Sequence, residues 1–155
     1  MVPSSSMSIA TILSVLLIYG QQVSEAQGVV IFDNCFRCIC EAASGCNLTS
    51  GCDGPVCGPY RITWSYWADG GKLKLDGSPD SEAYPQCVNN PHCAVRTVQG
   101  YMDKFAQDCN GDGVINCDDY LRIHRLGGYG CTGPLDAKYE DTFKRCKETL
   151  RNLDS

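Results

Sequence analysis

Residues 35–46 read CFRCICEAASGC and contain four of the twelve cysteines in the chain. Asp33 or Asn34 can cap a helix that starts here, because a short polar side chain accepts hydrogen bonds from the free amides at a helix N-terminus. Gly45 favours a helix end, since glycine adopts the left-handed conformation at little steric cost. The stretch therefore predicts a helix over residues 35–45 that holds several cysteines.

The cysteines are even in number and closely spaced. They are Cys35, Cys38, Cys40, Cys46, Cys52, Cys57, Cys87, Cys93, Cys109, Cys117, Cys131 and Cys146. This pattern predicts a disulfide framework formed in an oxidising compartment. A zinc site is the alternative for Cys35-x2-Cys38, but no second such pair and no paired histidines follow at zinc-finger spacing. The sequence does not determine which cysteines pair.

The N-terminus contains an apolar run of eleven residues, IATILSVLLIY, at positions 9–19. A run of this length is too short to span a bilayer and fits the core of a signal peptide that is cleaved after Ala26. We therefore predict a signal peptide over residues 1–26 and a secreted, extracellular domain over residues 27–155, with a buried N-terminal helix as the alternative. The sequence Asn47-Leu48-Thr49 predicts N-glycosylation of Asn47, as expected on a surface loop of a secreted protein.

The composition describes an acidic protein with room for one domain. The chain has 155 residues, with 13 Lys and Arg against 18 Asp and Glu, and a formal net charge of −5. Since no run of basic residues occurs, the sequence predicts no nucleic-acid partner and no attachment to a membrane. Apolar residues make up 43% of the chain, which is enough for a folded core. We expect a monomer.

Hydrophobic periodicity predicts further helices and little strand. Apolar residues recur at helical spacing over residues 93–107, 118–125 and 136–153. Residues 60–67 read YRITWSYW and fit either a strand or a short buried helix. A β-like segment is predicted at 29–32, and loops rich in Gly and Pro at 46–59 and 70–85. Together these elements predict a small, disulfide-rich α+β domain that is mainly helical.

The segment between two of the predicted helices matches the calcium-binding loop of an EF-hand. Its candidate ligands are Asp108, Asn110, Asp112, the carbonyl of Val114, and Asp119 at loop position 12. The alternative is a turn built on Asp, Asn and Gly, with a shape fixed by disulfides of Cys109 and Cys117. The sequence thus predicts a structural calcium ion as a candidate ligand and no cofactor that is required.

Five stretches in order resemble the invertebrate-type (i-type) lysozymes, also called the destabilase family. They are CICEAASGC at 38–46, CGPYRI at 57–62, YWAD at 66–69, CAVRTVQGYM at 93–102 and RIHRLGGYGC at 122–131. The resemblance covers residues 35–131 and leaves a helical tail over residues 132–155. It implies a lysozyme-like fold with a cleft for β-1,4-linked amino sugars, such as bacterial peptidoglycan or a chitin-like oligosaccharide. The resemblance also implies a possible isopeptidase activity, which some members of the family have.

The resemblance implies two catalytic carboxyl groups, because glycoside hydrolysis needs a proton donor and a second carboxylate. The family's proton donor is the Glu of C-I-C-x-x-E-S-G-C, and this chain has Ala43 at that position. Glu41 lies two residues away, which is about 200° around a helix. The second carboxylate corresponds to Asp53, which is otherwise a solvated turn residue. We therefore predict a glycan-binding lysozyme relative with doubtful muramidase activity. The alternatives are an active lysozyme that uses Glu41 and Asp53, a non-catalytic recognition protein, or an isopeptidase.

The resemblance also implies contacts to the bound glycan. The candidate residues are Tyr60, Ile62, Tyr66, Trp67, Tyr101 and His124. Aromatic rings pack against the apolar faces of sugars, and Trp64 belongs to the same aromatic run. The alternative for these residues is that they fill the core, with His124 as a buried, hydrogen-bonded structural residue.

Overall fold

The computed structural model describes residues 34–153 as one unit of six helices and three short strands. Helix α1 includes residues 34–44. The remaining elements are β1 Cys52–Asp53, β2 Val56–Cys57, β3 Ile62–Thr63, α2 Trp64–Asp69, α3 Ala83–Asn89, α4 Pro91–Phe105, α5 Cys117–Leu126 and α6 Ala137–Leu153. The predicted fold class, α+β and mainly helical, is confirmed. The predicted signal peptide and the β-like segment at 29–32 lie outside the described residues.

The predicted helices at 93–107, 118–125 and 136–153 are confirmed as α4, α5 and α6, with ends shifted by one or two residues. Helix α4 starts at Pro91 because the side chain of Asn90 accepts hydrogen bonds from two amides of the first turn. Helix α5 has a capping box formed by Asn116 and Asp119. Within residues 34–153, no helix is long and apolar enough to cross a membrane.

The aromatic run at residues 60–67 contains both structures that its sequence allowed. Its first part forms β3, and Thr63 then caps α2 by accepting the amide of Tyr66. Strands β1, β2 and β3 make one antiparallel sheet in that order.

Two loop predictions were incomplete. Residues 46–59 contain β1 and β2, which pair across a tight turn at Gly54-Pro55, and this pairing depends on tertiary context rather than on propensity. Residues 70–85 run into α3, which begins at Ala83. Pro85 is compatible with this helix because the first turn does not need its amide.

The core lies around α4, which packs against α2, α3 and α5. Fully buried side chains include Ile39 of α1, Val98 of α4, Ile123 of α5 and Phe143 of α6. Gly70 and Gly100 allow close packing of α2 on α4, because a methyl group on Gly70 would lie 2.5 Å from the carbonyl oxygen of Thr97.

All twelve cysteines form disulfides, which confirms the predicted framework. The six bridges are Cys35–Cys117, Cys38–Cys146, Cys40–Cys46, Cys52–Cys57, Cys87–Cys93 and Cys109–Cys131. The first two span 82 and 108 residues and join α1 to α5 and to α6. The helical tail is thereby fixed to the helix that carries Ala43.

Candidate functional site

Ala43 lies near the C-terminal end of α1 and lines a cavity of about 590 Å³. The wall opposite α1 is formed by Arg61 from the loop before β3, by Arg125 from α5, and by Lys138 and Tyr139 from α6. Ala43 itself is partly buried and packs against the core. The position that the resemblance assigns to a proton donor therefore faces a cavity, but its side chain is a methyl group that cannot donate a proton.

Glu41 borders the same cavity, although the helical rotation from position 43 predicts the opposite side. It also borders a second cavity of about 420 Å³ between α1 and α6. Its side chain is exposed to solvent. A carboxylic acid that donates a proton at neutral pH needs an enclosed, apolar setting. Glu41 is thus close to the cavity, but it lies in a solvated place.

Asp53 lies at the end of β1 with a side chain that is 80% exposed. Its carboxylate accepts a hydrogen bond from the guanidinium of Arg61 at 3.4 Å. An exposed ion pair of this kind contributes about 0–1 kcal/mol to stability, so Asp53 is not locked in place. Since Arg61 also lines the cavity, Asp53 lies next to it, with its charge partly satisfied.

The residues that the resemblance assigns to glycan binding are largely in the core. Tyr60, Ile62, Tyr66, Trp67 and Tyr101 are each at most 9% exposed. The indole of Trp67 donates its hydrogen bond inward, to the carbonyl oxygen of Leu73 at 2.7 Å. Their role as sugar contacts stays a prediction, and burial leaves only their edges for a ligand. Trp64, in contrast, is 56% exposed.

His124 connects α5 to Tyr60 and to Tyr66 through hydrogen bonds at its two ring nitrogens. The carbonyl oxygen of Tyr60 accepts a hydrogen bond from Nε2 at 2.9 Å. A carbonyl cannot donate, so Nε2 carries the proton, and the neutral ring accepts at Nδ1 from the hydroxyl of Tyr66 at 3.0 Å. The ring of Tyr66 stacks on Tyr101 with centroids 3.7 Å apart. This arrangement is the structural role that sequence analysis left open for His124.

The family is decided by comparison with known proteins. The family model described as Destabilase matches residues 32–146. The chain belongs to the Destabilase family. A lysozyme of Ostrea edulis is 34% identical over 143 residues, which cover 89% of this chain and 94% of the relative. Invertebrate-type lysozyme 3 of Caenorhabditis elegans is 32% identical over 118 residues, covering 73% and 84%.

Solved structures of lysozymes have the same fold. Meretrix lusoria lysozyme in complex with PliI of Aeromonas hydrophila is 29% identical, with a TM-score of 0.57 over 72% of this chain and 87% of that one. The Tapes japonica lysozyme is 28% identical, with a TM-score of 0.51 over 73% and 85%. The resemblance to invertebrate-type lysozymes is thereby confirmed, and the Destabilase family match extends into α6 as far as Cys146.

The pKa of His124 is lowered from its ordinary value of 6.5 to about 4, and burial is the main cause. The hydrogen bond to the backbone of Tyr60 acts in the opposite direction, and the charge of Arg125 lowers the pKa further. The folded state therefore binds this proton less readily than the unfolded chain does. Between pH 6.5 and 4, stability falls as the pH falls.

This linkage gives a prediction for stability. Lowering the pH from 7 to 5 should cost about 2 kcal/mol of unfolding free energy through His124 alone. His124→Gln should make the pH dependence flatter, whereas His92→Gln, a change at the exposed histidine on α4, should keep the slope of the wild type. Guanidinium denaturation at pH 7, 6 and 5 with intact disulfides measures both. A wild-type slope retained in His124→Gln would contradict the assignment.

The candidate calcium loop is closed by its own hydrogen bonds. Asp119 is fully buried, and its carboxylate accepts the amides of Cys109, Asn110 and Asn116. Asp108 accepts two backbone amides of the loop, which lowers its pKa, with the amide of Gly113 as the largest cause. Within residues 34–153, no group of three or more Asp, Glu, His or Cys side chains is placed to hold a metal ion. Calcium therefore stays a prediction of the sequence motif.

The motif and the hydrogen bonding together define a test. We expect the protein to stay folded in EDTA, because Asp108 and Asp119 already accept backbone amides of the loop and two disulfides anchor the loop to other segments. At a dissociation constant of about 1 mM, 10 mM Ca²⁺ should stabilise it by about 1.4 kcal/mol, or several degrees in Tm. Asp112→Asn should abolish the shift, and Asp76→Asn, on an exposed loop elsewhere, should not. No shift in the wild type would favour the simple turn.

Asn47 of the glycosylation sequon lies on an exposed loop, and its side chain accepts hydrogen bonds from the amide and the hydroxyl of Thr49. The number of basic side chains around the cavity is a feature that the sequence motifs do not predict. These side chains come from separate segments of the chain, so they form no run of basic residues in the sequence. A helical projection of α6 offers a signal, since Lys138, Thr142, Arg145 and Thr149 follow one another at spacings of three or four residues.

Proposed function

We propose that the protein is a secreted member of the Destabilase family that binds peptidoglycan or related β-1,4-linked amino-sugar polymers, in defence or digestion, without efficient cleavage. The observation that supports this function is Ala43, which lines the cavity where the family resemblance requires a proton donor. A positioned proton donor contributes about 10²–10⁴-fold to a rate. Its loss removes most of the hydrolysis and leaves the glycan cleft of the fold.

The second candidate function is an active lysozyme, and one observation favours it. Glu41 borders the same cavity as Ala43, and Arg61, which also lines it, pairs with Asp53. Two carboxylates are thus present near the cavity, as glycoside hydrolysis requires. Against this candidate, Glu41 is solvated and Asp53 is paired.

An isopeptidase has less support from the described residues. Ser44 donates its hydroxyl to the carbonyl oxygen of Pro59 at 2.6 Å, and Ser65 forms a hydrogen bond with the side chain of Thr63. Both ring nitrogens of His124 are taken by tyrosines. Neither serine therefore has this histidine as its base, which nucleophilic catalysis would require.

Binding and cleavage are separated by two assays on the purified mature protein. We expect it to sediment with insoluble peptidoglycan while leaving the turbidity of a cell-wall suspension unchanged, with an active lysozyme as the positive control. Clearing that is abolished by Glu41→Gln and by Asp53→Asn would establish the active-lysozyme alternative. Failure to sediment with peptidoglycan and with chitin would overturn glycan binding.

A further inference from the structure

Two cavities lie side by side along α1 and α6 and share part of their lining. The cavity at Ala43 and the second cavity share Glu41 and Thr142 in their walls, so they are neighbours along α1 and α6. Their volumes are about 590 and 420 Å³. We call this pair of adjacent cavities the α1/α6 groove.

The α1/α6 groove is basic, although the whole chain has a net charge of −5. Five cationic side chains line it: Arg37, Arg61, Arg125, Lys138 and Arg145. Glu41 and Asp136 are the acidic residues in its walls. A cleft lined mainly by one sign of charge concentrates its field and attracts ligands of the opposite sign.

Most of these cations are available to a ligand. Among the described residues, Arg37, Arg125, Lys138 and Arg145 form no ion pair, whereas Arg61 pairs with Asp53. Of the two acids, Asp136 uses its carboxylate to accept the amide of Tyr139 at the start of α6. The acidic residues in the walls and the ion pair of Arg61 offset part of the positive charge, and the groove keeps a net excess of cationic side chains.

We propose that the α1/α6 groove binds an extended acidic polysaccharide, with carboxylate or sulfate groups repeated along the chain. This inference rests on the proposed glycan binding and specifies its ligand class. Lys138 and Arg145 are seven residues apart on α6, which is about 10 Å along the helix axis. A single small anion reaches one end of such a row, whereas a polymer with repeated charges reaches all of it. Guanidinium groups bind carboxylate and sulfate oxygens with paired hydrogen bonds.

The groove favours a polysaccharide over a nucleic acid for a structural reason. Single-stranded nucleic acids gain affinity by stacking bases on exposed aromatic rings. The aromatic side chain in the groove wall is Tyr139, which is 5% exposed and lies against the guanidinium of Arg125. The exposed Trp64 is not part of the groove walls.

The test compares two oligosaccharides by titration calorimetry on the mature protein. One is a hyaluronan octasaccharide, in which glucuronate alternates with N-acetylglucosamine, and the other is chitohexaose, which is neutral. We expect at least tenfold tighter binding of hyaluronan at low salt, with the difference shrinking as salt rises. Equal affinity for the two would overturn the proposal.

Matched variants locate the binding. Arg125→Gln/Lys138→Gln and Arg37→Gln/Arg145→Gln should each weaken hyaluronan binding about tenfold. Lys72→Gln/Arg96→Gln removes the same charge from exposed positions outside the groove and should leave at least half of the affinity. Equal losses in all three variants would overturn the assignment to the groove. The thermal unfolding of each variant reports whether it is folded.

Two further outcomes separate this inference from the proposed function. Binding of the neutral chitohexaose without hyaluronan binding would overturn the acidic ligand and leave the proposed function in place. Hyaluronan binding without peptidoglycan binding would overturn the proposed function and support the acidic ligand. A single-stranded oligothymidylate of equal charge that binds more tightly than hyaluronan would overturn the choice of polysaccharide.

Discussion

Replacing Ala43 with Glu should raise the rate of cell-wall clearing by about tenfold to a hundredfold. The new carboxyl would enter the cavity from a partly buried position against the core, where desolvation favours the protonated form that a general acid needs. The gain should stay below the full 10²–10⁴-fold of a proton donor, because Arg125 and Lys138 line the same cavity and favour the ionised form. Turbidity loss of bacterial cell walls, with analysis of the soluble fragments, measures the gain.

The matched control places the same carboxyl one residue earlier. Ala42→Glu adds an identical group to the lining of the same cavity, about 100° around α1 from position 43, where the resemblance does not assign a proton donor. It should leave clearing at the level of the wild type. Equal gains from Ala42→Glu and Ala43→Glu would show that charge alone changes activity, and would contradict the role assigned to position 43.

Freeing the second carboxylate should add to the gain. In Ala43→Glu/Arg61→Gln, Asp53 loses the guanidinium that now holds it at 3.4 Å. The double variant should therefore clear cell walls several times faster than Ala43→Glu, and Asp53→Asn in the same background should remove the activity. A double variant that is no faster than the single one would show that Asp53 is not the second catalytic group.

Sequence patterns predicted the parts of this fold that depend on local chemistry. The spacing of apolar residues identified α4, α5 and α6 within two residues of their ends, because each helix buries one face. The number of cysteines predicted the disulfide framework but not the partners, since Cys38 and Cys146 are 108 residues apart and meet only in the folded chain. The strands β1 and β2 were missed because two-residue strands have no period to detect.

The candidate site was harder to predict because it depends on tertiary placement. From the sequence alone, Tyr66 and Trp67 fit a sugar-binding role and a core role equally well. The fold buries both. The groove charge depends on Arg125 from α5 and Lys138 from α6 meeting beside α1, which no linear run of charge reveals. The sequence did reveal the missing proton donor, because the alanine at position 43 is read directly from a recognisable motif.

The disulfide Cys38–Cys146 should contribute the largest single share of stability that can be removed without touching the cavity lining near Ala43. Its loss in Cys38→Ala/Cys146→Ala should lower the unfolding free energy by about 3–4 kcal/mol. This is less than a 108-residue loop implies, because Cys35–Cys117 already shortens the path between the two cysteines. Guanidinium denaturation of both proteins under oxidising conditions measures the difference.

Cys52→Ala/Cys57→Ala is the matched control, since that bridge closes a separation of five residues and should contribute less, about 2 kcal/mol.

Removing Cys38–Cys146 should also cause local unfolding of α6 under conditions in which the rest of the domain stays folded. Helix α6 then depends on the buried Tyr139 and Phe143 and on the ion pair of Lys147 with Asp118, so its amides should exchange with deuterium faster than those of α4. Hyaluronan affinity should fall together with the stability of α6, because three of the basic groove residues are on α1 and α6. Faster exchange in α6 with unchanged hyaluronan affinity would show that the groove does not need this helix, and would contradict the ligand assignment.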